Sequence, residues 1–269
     1  MPMLELPSAT LAWDARGDGP AVVLLPSGAH ARSDYDALRD LLPGSVRTIA
    51  LDWPAHGDSP PAPGPASAMS FADVAEQAVV RLAPEGAVVV GNSIGGFAAA
   101  RLALRRPDLV RGLVLIDSGG FLARGPQVRA FCALMGRPRF LRRIYPAFSA
   151  RYMRSRADAD RAARERAIAT TRDPAGLAAV AGLWASFSSP EHDLRAQAGA
   201  IAAPTLVLWG RRDPVIPVKV GRWLADAIPR AQLAELDTGH VPYTSDPEAV
   251  AAQLVPFLDA VLAAEAGAA

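Results

Sequence analysis

A chain of 269 residues is long enough for one large hydrophobic core, or for one core that carries an inserted subdomain. Its 28 basic and 27 acidic side chains nearly cancel, which argues against nucleic acid or an anionic membrane as a partner. The single cysteine, Cys132, excludes an intramolecular disulfide and a zinc site built from several cysteines, and we interpret it as a small buried hydrophobe.

Strand-like apolar runs alternate with helical runs in the first part of the chain, as in a parallel sheet that helices cover on both faces. Strands are predicted over 10–13, 21–25, 46–51, 87–90 and 113–116, and helices over 33–41, 71–82 and 97–105. The glycine-rich turn at 17–20 predicts that the first two strands form a hairpin. Ser70 is the predicted cap of the second helix.

The alternation stops after Asp117. Residues 121–202 have a helical, arginine-rich pattern without a clear strand. Strands over 205–209 and 232–236 and helices over 219–228 and 247–262 then complete the pattern. We therefore predict one α/β core from residues 1–118 and 203–269, with residues 119–202 as an inserted all-helical cap.

The N-terminal residues lack a basic stretch followed by an apolar run, as a signal peptide would have. No segment stands out as an uninterrupted run of the roughly 20 apolar residues that cross a bilayer. We expect a soluble, cytoplasmic protein that binds no membrane and no nucleic acid.

Residues 91–96 read GNSIGG and connect a predicted strand to a predicted helix. In that context Gly-x-Ser-x-Gly is typical of a tight turn that lifts the serine hydroxyl above the sheet. Ser93 would take a strained backbone conformation, and Gly91 and Gly95 relieve the resulting crowding because they have no Cβ. The helix start directs the Ile94 N–H at negative charge beside Ser93. The motif alone also fits a glycine-rich turn in which Ser93 only caps the helix.

A serine hydroxyl is a poor nucleophile until a positioned base takes its proton. His240 follows the last predicted strand, and Asp213 follows the strand before it. Both loops lie at the carboxyl edge of the sheet, as Ser93 does, and ligands of open parallel sheets bind at that edge. We therefore expect Ser93, Asp213 and His240 to form a catalytic triad.

The other three histidines have other predicted roles. His56 shapes a turn, and no cluster of further ligands indicates a metal site beside it. His30 is interpreted as an exposed loop residue near the pocket mouth. His192 lies in a polar segment and is expected to be solvated.

These residues make the chain resemble the α/β-hydrolase superfamily, in which nucleophile, acid and histidine follow one another in this order. The wording around Asp213 and His240 is typical of the family, and residues 52–59, DWPAHGDS, resemble its D-x-P-G-H-G-x-S turn. The resemblance covers about 1–118 and 203–262. It implies a mostly parallel, doubly wound sheet with a helical cap, and acyl transfer that needs no metal or organic cofactor.

The oxyanion hole departs from that pattern. The family has His-Gly after the strand corresponding to 21–25, whereas this chain has Pro26-Ser27-Gly28. Matching from the strand end assigns the first donating N–H to Gly28 and the second to Ile94. Ser27 either adds a hydroxyl donor or holds the turn.

The cap is strongly basic, since residues 121–166 contain twelve arginines and three acidic residues. This excess fits a lid that attracts an anionic substrate, and it also fits a solvated helical surface. Trp184 and Phe187 are spaced to present one aromatic face, either to substrate or to the cap core. Together with Ser27 and Val241 they are our candidate substrate-binding residues.

The sequence thus predicts a serine hydrolase that cleaves a small ester, thioester or lactone through an acyl-enzyme on Ser93. Carbon–carbon bond hydrolases of vinylogous diketones from aromatic ring cleavage share the GNSxGG wording, so Asn92 keeps that alternative open. A ligand-sensing protein with a slow triad is the third reading. In each reading the partner is a small molecule, and the oligomeric state is left open.

Overall fold

The computed structural model of the protein describes residues 2–154 and 157–266. Its strands are β1 (Met3–Glu5), β2 (Thr10–Arg16), β3 (Ala21–Leu25), β4 (Arg47–Leu51), β5 (Ala87–Asn92), β6 (Val110–Ile116), β7 (Thr205–Gly210) and β8 (Ala231–Leu236). Its helices are α1 (Asp36–Arg39), α2 (Ala68–Leu82), α3 (Ile94–Arg105), α4 (Pro126–Met135), α5 (Pro138–Met153), α6 (Asp158–Arg172), α7 (Pro174–Ser186), α8 (Val218–Ala227), α9 (Pro242–Ser245) and α10 (Pro247–Ala266).

The eight strands form one sheet in the order β1-β2-β4-β3-β5-β6-β7-β8. The six strands from β3 to β8 run parallel, and β1 and β2 form an antiparallel edge. Alternate residues of β5 enter two hydrophobic clusters, with Val89 in one and Val88 and Val90 in the other. Helices α2, α3 and α8 contribute to the first cluster and α1 and α10 to the second, which confirms the doubly wound α/β fold.

The predicted hairpin of the first two strands is wrong, because β4 lies between β2 and β3. Trp13 of β2 pairs with Leu51, whereas Val23 of β3 pairs with Ile49 on the other edge of β4. The turn after β2 passes close to the backbone before β4, and a Cβ on Gly17 would overlap the Val46 carbonyl oxygen. A turn signal fixes a change of direction, but it does not fix which strand becomes the neighbour.

Helix α2 begins three residues earlier than the sequence predicts, and its cap is Ser67 rather than Ser70. The Ser67 hydroxyl accepts a hydrogen bond from the Ser70 N–H at 3.0 Å, and the Ser70 hydroxyl accepts one from the Ser67 N–H at 2.9 Å. Ser70 is therefore the reciprocal partner in a capping box of two serines.

Between β6 and β7 the described residues form only helices, α4 to α7 and two short 3-10 segments, Pro190–His192 and Arg195–Ala200. This confirms a helical insertion in the sheet domain. Its position after β6 places it beyond the carboxyl edge of the sheet.

Helix α10 qualifies as a membrane span by length and composition over Pro247–Ala264, which the sequence reading did not anticipate. A third of that stretch, 33%, is buried inside the protein. Leu254, Phe257 and Leu258 lie in the cluster that α10 shares with the sheet. These apolar side chains therefore pack against the core, as in a soluble α/β domain.

Candidate active site

Ser93 lies in the turn between β5 and α3, with φ 56° and ψ −112°. Its N–H donates to the Ile116 carbonyl at 3.1 Å, which fixes the turn against β6. A Cβ on Gly91 would overlap the Gly95 carbonyl oxygen, and a Cβ on Gly95 would overlap the Leu25 carbonyl oxygen. Glycine is required at both positions, as predicted, although the close neighbour of Gly95 is strand β3.

Asp213 and His240 meet in the loops after β7 and β8. His240 Nδ1 lies 2.6 Å from Asp213 Oδ2, and both side chains are nearly buried. The other carboxylate oxygen, Oδ1, accepts the Val215 N–H at 2.7 Å. The carboxylate is thus oriented by its own turn, and it in turn fixes the imidazole tautomer with Nε2 available.

The backbone of His240 is held on both sides. Its N–H donates to the Tyr152 carbonyl at 2.8 Å. Its carbonyl accepts the Asn92 side-chain N–H at 2.9 Å, and the same amide group donates to the Ile116 carbonyl at 3.0 Å. Asn92 is fully buried and is not among the residues that line the cavity described below, so its role is to tie the nucleophile strand to the histidine loop.

Ser93 and His240 line the same cavity. No hydrogen bond of normal geometry joins the Ser93 hydroxyl to the imidazole among the described contacts. Catalytic hydrogen bonds are often long or poorly aligned until substrate binds, so the missing bond does not contradict a Ser93–His240 pair.

Asp117 is a member of this site that the sequence reading did not identify. It follows β6, has φ 42° and is fully buried. Its Oδ1 accepts the Gly210 N–H at 3.0 Å. Burial, and next the charge of Asp213 and a hydrogen bond to it, raise the pKa of the Asp117 carboxyl well above its usual range. This raised pKa favours the protonated form of Asp117, whose carboxyl proton is then available for a hydrogen bond to Asp213.

Among the described residues, Asp117, Asp213 and His240 also form the one cluster of metal-ligand types, with their ligand atoms within 4.8 Å of one another. The 2.6 Å separation of Asp213 Oδ2 and His240 Nδ1 is a hydrogen-bond length. The carboxyl proton of Asp117 accounts for the close approach of the two acids. Hydrogen bonding explains this cluster, and we assign it no metal.

Gly28 and Ile94 lie beside Ser93 in the cavity wall. Neither backbone N–H donates to another residue in the described part of the chain, which leaves both free for an oxyanion. Ser27 also lines the cavity and is almost buried, and its carbonyl accepts the His30 N–H at 3.2 Å. The turn that follows β3 therefore places Gly28 in the same cavity wall as Ile94 at the start of α3.

The cavity has a volume of about 340 Å³ and extends from Ser93 between the sheet and the helical insertion. Most of its wall is apolar, and its aromatic residues are Phe131, Tyr145, Phe148, Tyr152, Trp184 and Phe187. Trp184 and Phe187 thus face the cavity, Trp184 edge-on to Phe131 at 5.5 Å and Phe187 edge-on to Phe97 at 5.6 Å between ring centroids. Val241 does not line it, because its side chain is buried in the core.

Two of the three remaining histidines are placed differently from the prediction. His30 is fully buried, with Nδ1 2.6 Å from Asp34 and Nε2 3.0 Å from the Tyr152 hydroxyl. His192 is also buried, and its ring packs against Phe187 at 5.7 Å. His56 holds a turn as predicted, since its Nδ1 donates to the Pro54 carbonyl at 2.9 Å.

Tertiary packing is what buries His30 and His192. The spacing of His30 and Asp34, four residues apart, is a local signal that would have indicated a pair. His192 has no comparable signal, because the Phe97 and Phe187 rings that bury it are not marked by the polar residues around it in the sequence.

Comparison with known proteins adds independent information. Residues 22–253 match the model of the alpha/beta hydrolase family. A pimeloyl-[acyl-carrier protein] methyl ester esterase of Chromobacterium violaceum is 30% identical over 240 residues, 85% of this chain and 90% of that protein. The corresponding esterase of Vibrio vulnificus is 29% identical over 262 residues, 93% of this chain and 98% of that protein.

Solved structures show the same fold. A thermophilic esterase from Thermogutta terrifontis superimposes with a TM-score of 0.84 at 24% identity, covering 97% of this chain and 99% of that one. An enol-lactonase from Burkholderia xenovorans gives a TM-score of 0.80 at 25% identity, covering 96% and 99%.

Proposed function

Because this chain belongs to the alpha/beta hydrolase family, we propose that it is a serine hydrolase whose nucleophile is Ser93 and whose substrates are small esters, thioesters or lactones. The two curated relatives described above support ester cleavage, since both are methyl ester esterases. The observation that carries the assignment of residues is the 2.6 Å contact of His240 with Asp213 in the same cavity as the strained Ser93.

In the proposed reaction the Ser93 hydroxyl attacks the substrate carbonyl while His240 Nε2 takes its proton. Asp213 stabilises the imidazolium that forms. His240 then protonates the leaving group, and the carbon–oxygen or carbon–sulfur bond breaks to leave an acyl-enzyme. Water, deprotonated by the same imidazole, attacks the acyl group and releases the acid.

The N–H groups of Gly28 and Ile94 receive the oxyanion in this scheme. Each such donor typically contributes about 2.7–4 kcal/mol to the transition state. Ile94 is the first residue of α3, so its N–H has no partner within the helix and carries the positive end of the helix dipole.

We further propose that residues 119–202 act as a cap that selects the substrate. The helical insertion supplies most of the aromatic wall, and a cavity of about 340 Å³ suits a small or medium acyl group. The packing of α10 on the core supports a soluble protein. A cytoplasmic location stays a prediction.

The test combines active-site labelling with turnover of short-chain p-nitrophenyl esters. We expect a fluorophosphonate probe to label the wild type and not Ser93→Ala, and the variant to lose at least about 10⁴-fold in kcat. The matched control is Ser33→Ala, because the Ser33 hydroxyl makes no hydrogen bond to a described residue. This variant should behave as the wild type. Wild-type-like turnover by Ser93→Ala would refute the role of Ser93.

The labelling and turnover assays, with a vinylogous 1,5-diketone as an additional substrate, separate the hydrolase from the two alternative functions. Labelling without turnover of any ester would favour a ligand-sensing protein. Faster cleavage of a vinylogous 1,5-diketone than of esters would favour the carbon–carbon bond hydrolase. The shared GNSxGG wording no longer supports that reading, because Asn92 is used to hold the His240 loop.

A further inference from the structure

The cavity wall is mostly apolar, but it contains three polar side chains that the proposed reaction does not use. Arg124, Gln127 and His192 line it, the first two just before and within α4 and the third in the 3-10 segment after α7. Of the cap arginines in the described part of the chain, only Arg124 lines the cavity; most others, such as Arg129 and Arg143, are exposed. Among the described arginines of the cap, Arg124 is therefore the one that brings a positive charge to the cavity wall.

His192 is a buried imidazole that the protein itself does not satisfy. Its residue is 2% exposed, and neither ring nitrogen makes a hydrogen bond of normal geometry to a described residue. The nearest carboxylate, that of Glu191, is exposed and lies 3.8 Å from Nδ1. Burial lowers the pKa of His192, and Arg124 and Arg101 lower it further, so the ring is neutral at neutral pH and offers one N–H donor.

Arg124 is held in place but only partly used. One of its terminal nitrogens donates to the Ser188 carbonyl, whereas its Nε is buried without a hydrogen-bond partner. It forms no salt bridge with a carboxylate of the described residues. The neighbouring acid Asp193 is already paired with Arg195 at 2.7 Å. The Arg124 side chain as a whole is only half-buried, but a buried N–H without a partner costs free energy unless a ligand accepts from it.

These groups lie close to the nucleophile. Phe187 packs against His192 and also against Gly119, whose N–H donates to the Ser93 carbonyl at 2.9 Å. His192 is thus one aromatic ring away from the Ser93 turn. Ser93, Arg124, Gln127 and His192 also line the same cavity, so one ligand has access to all of them.

We propose that Arg124, Gln127 and His192 form a subsite for a carboxylate at the far end of the substrate's acyl chain. Guanidinium, imidazole and amide N–H donors match the two oxygens and single charge of a carboxylate. The apolar wall between this subsite and Ser93 takes the methylene chain. This inference rests on the proposed function and specifies its substrate class as half-esters of dicarboxylic acids.

The experiment compares two esters with six acyl carbons, mono-p-nitrophenyl adipate and p-nitrophenyl hexanoate, which lacks the charge. We expect the wild type to have a kcat/KM at least about tenfold higher for the charged ester, which corresponds to about 1.4 kcal/mol. Arg124→Gln should remove that preference mainly through KM, with a much larger fall in kcat/KM for the charged ester than for the uncharged one. His192→Phe should reduce it in the same direction, and Arg129→Gln, an exposed arginine of α4, should leave both substrates as in the wild type.

Binding of free adipate to Ser93→Ala, followed by calorimetry, gives a readout that does not depend on turnover. We expect adipate to bind this variant and to bind at least about tenfold more weakly when Arg124→Gln is added. If Ser93 is neither labelled nor active but adipate binding depends on Arg124, the proposed hydrolase function fails while the subsite stands. Equal rates for the two esters in the wild type, or an equal loss for both in Arg124→Gln, would overturn the subsite.

Discussion

Replacing Asp117 by asparagine should make the protein more stable at alkaline pH without stopping the reaction. The substitution keeps the geometry, because asparagine tolerates the positive φ of 42°. Its carbonyl oxygen replaces the one that accepts the Gly210 N–H at 3.0 Å, and its amide N–H donates to Asp213 as the carboxyl proton does. We expect turnover at neutral pH to stay within about threefold of the wild type.

The expected gain in stability at alkaline pH comes from the proton that the Asp117 carboxyl retains in the folded wild type. The raised pKa of Asp117 means that the folded chain holds this proton at pH values where the unfolded chain releases it, above about pH 4. The stability contribution is therefore complete below that pH and is lost as the pH rises toward the raised pKa. The loss is about 1.4 kcal/mol for each pH unit in that window, and asparagine avoids it.

Urea denaturation of the wild type and Asp117→Asn between about pH 4.5 and 8.5 measures this difference, with turnover recorded in parallel. The difference in free energy of unfolding between Asp117→Asn and the wild type should be small near about pH 4.5 and should increase steadily with pH. Asp226→Asn, an exposed aspartate of α8, is the matched control and should show no such trend. A gap that stays constant with pH would show that Asp117 is ionised in the folded protein, and the proposed proton between the two acids would be wrong.

Three further outcomes are expected. Gly95→Ala places a Cβ on the Leu25 carbonyl oxygen and should lower the free energy of unfolding by more than about 2 kcal/mol, measured by urea denaturation. Asn92→Ala removes three buried hydrogen bonds, two donated by the amide and one accepted from the Tyr243 hydroxyl, and should cost about 1–3 kcal/mol of stability. It should also lower kcat more than it changes KM, because His240 loses an anchor. Burial raises the pKa of Cys132 to about 11, so Ellman's reagent at pH 8 should modify this thiol only after unfolding.

Each of these outcomes has a comparison that can contradict it. Gly199→Ala, whose added Cβ would meet nothing closer than 3.6 Å, should leave stability unchanged, and an equal loss for both glycine variants would remove the steric argument. An Asn92→Ala variant with reduced stability but wild-type kcat would show that the histidine loop needs no such anchor. Rapid modification of Cys132 in the folded protein would mean that the cavity wall opens readily.

The three residues of the proposed triad could be placed at one edge of the sheet because each follows from a local pattern. Ser93 is marked by its flanking glycines, and Asp213 and His240 each follow a recognisable strand. Asp117 also follows a predicted strand, so the same rule would have placed it at this edge. Its role as a proton donor was not predictable, because its contact with Asp213 depends on β6 lying next to β7 in the sheet.

Sequence patterns predicted only some of the residues that line the cavity. Trp184 and Phe187 face the cavity as expected, but Val241, in the loop beside His240, points into the core. The twelve arginines of the cap indicated either an anion site or a solvated surface. Most of those in the described part of the chain are exposed, and Arg124, which lines the cavity, is the one on which the proposed anion site depends.

The amino-acid sequence by itself determined the fold class, the helical insertion and the positions along the chain at which reactive groups end their strands. Those features depend on periodicity and on turn residues, which act between neighbours in the chain. Tertiary structure decided which strands are neighbours, which buried acid keeps its proton and which histidines lose contact with water. The environment of each of those groups is built by segments far away in sequence, and burial sets its hydrogen bonding and charge.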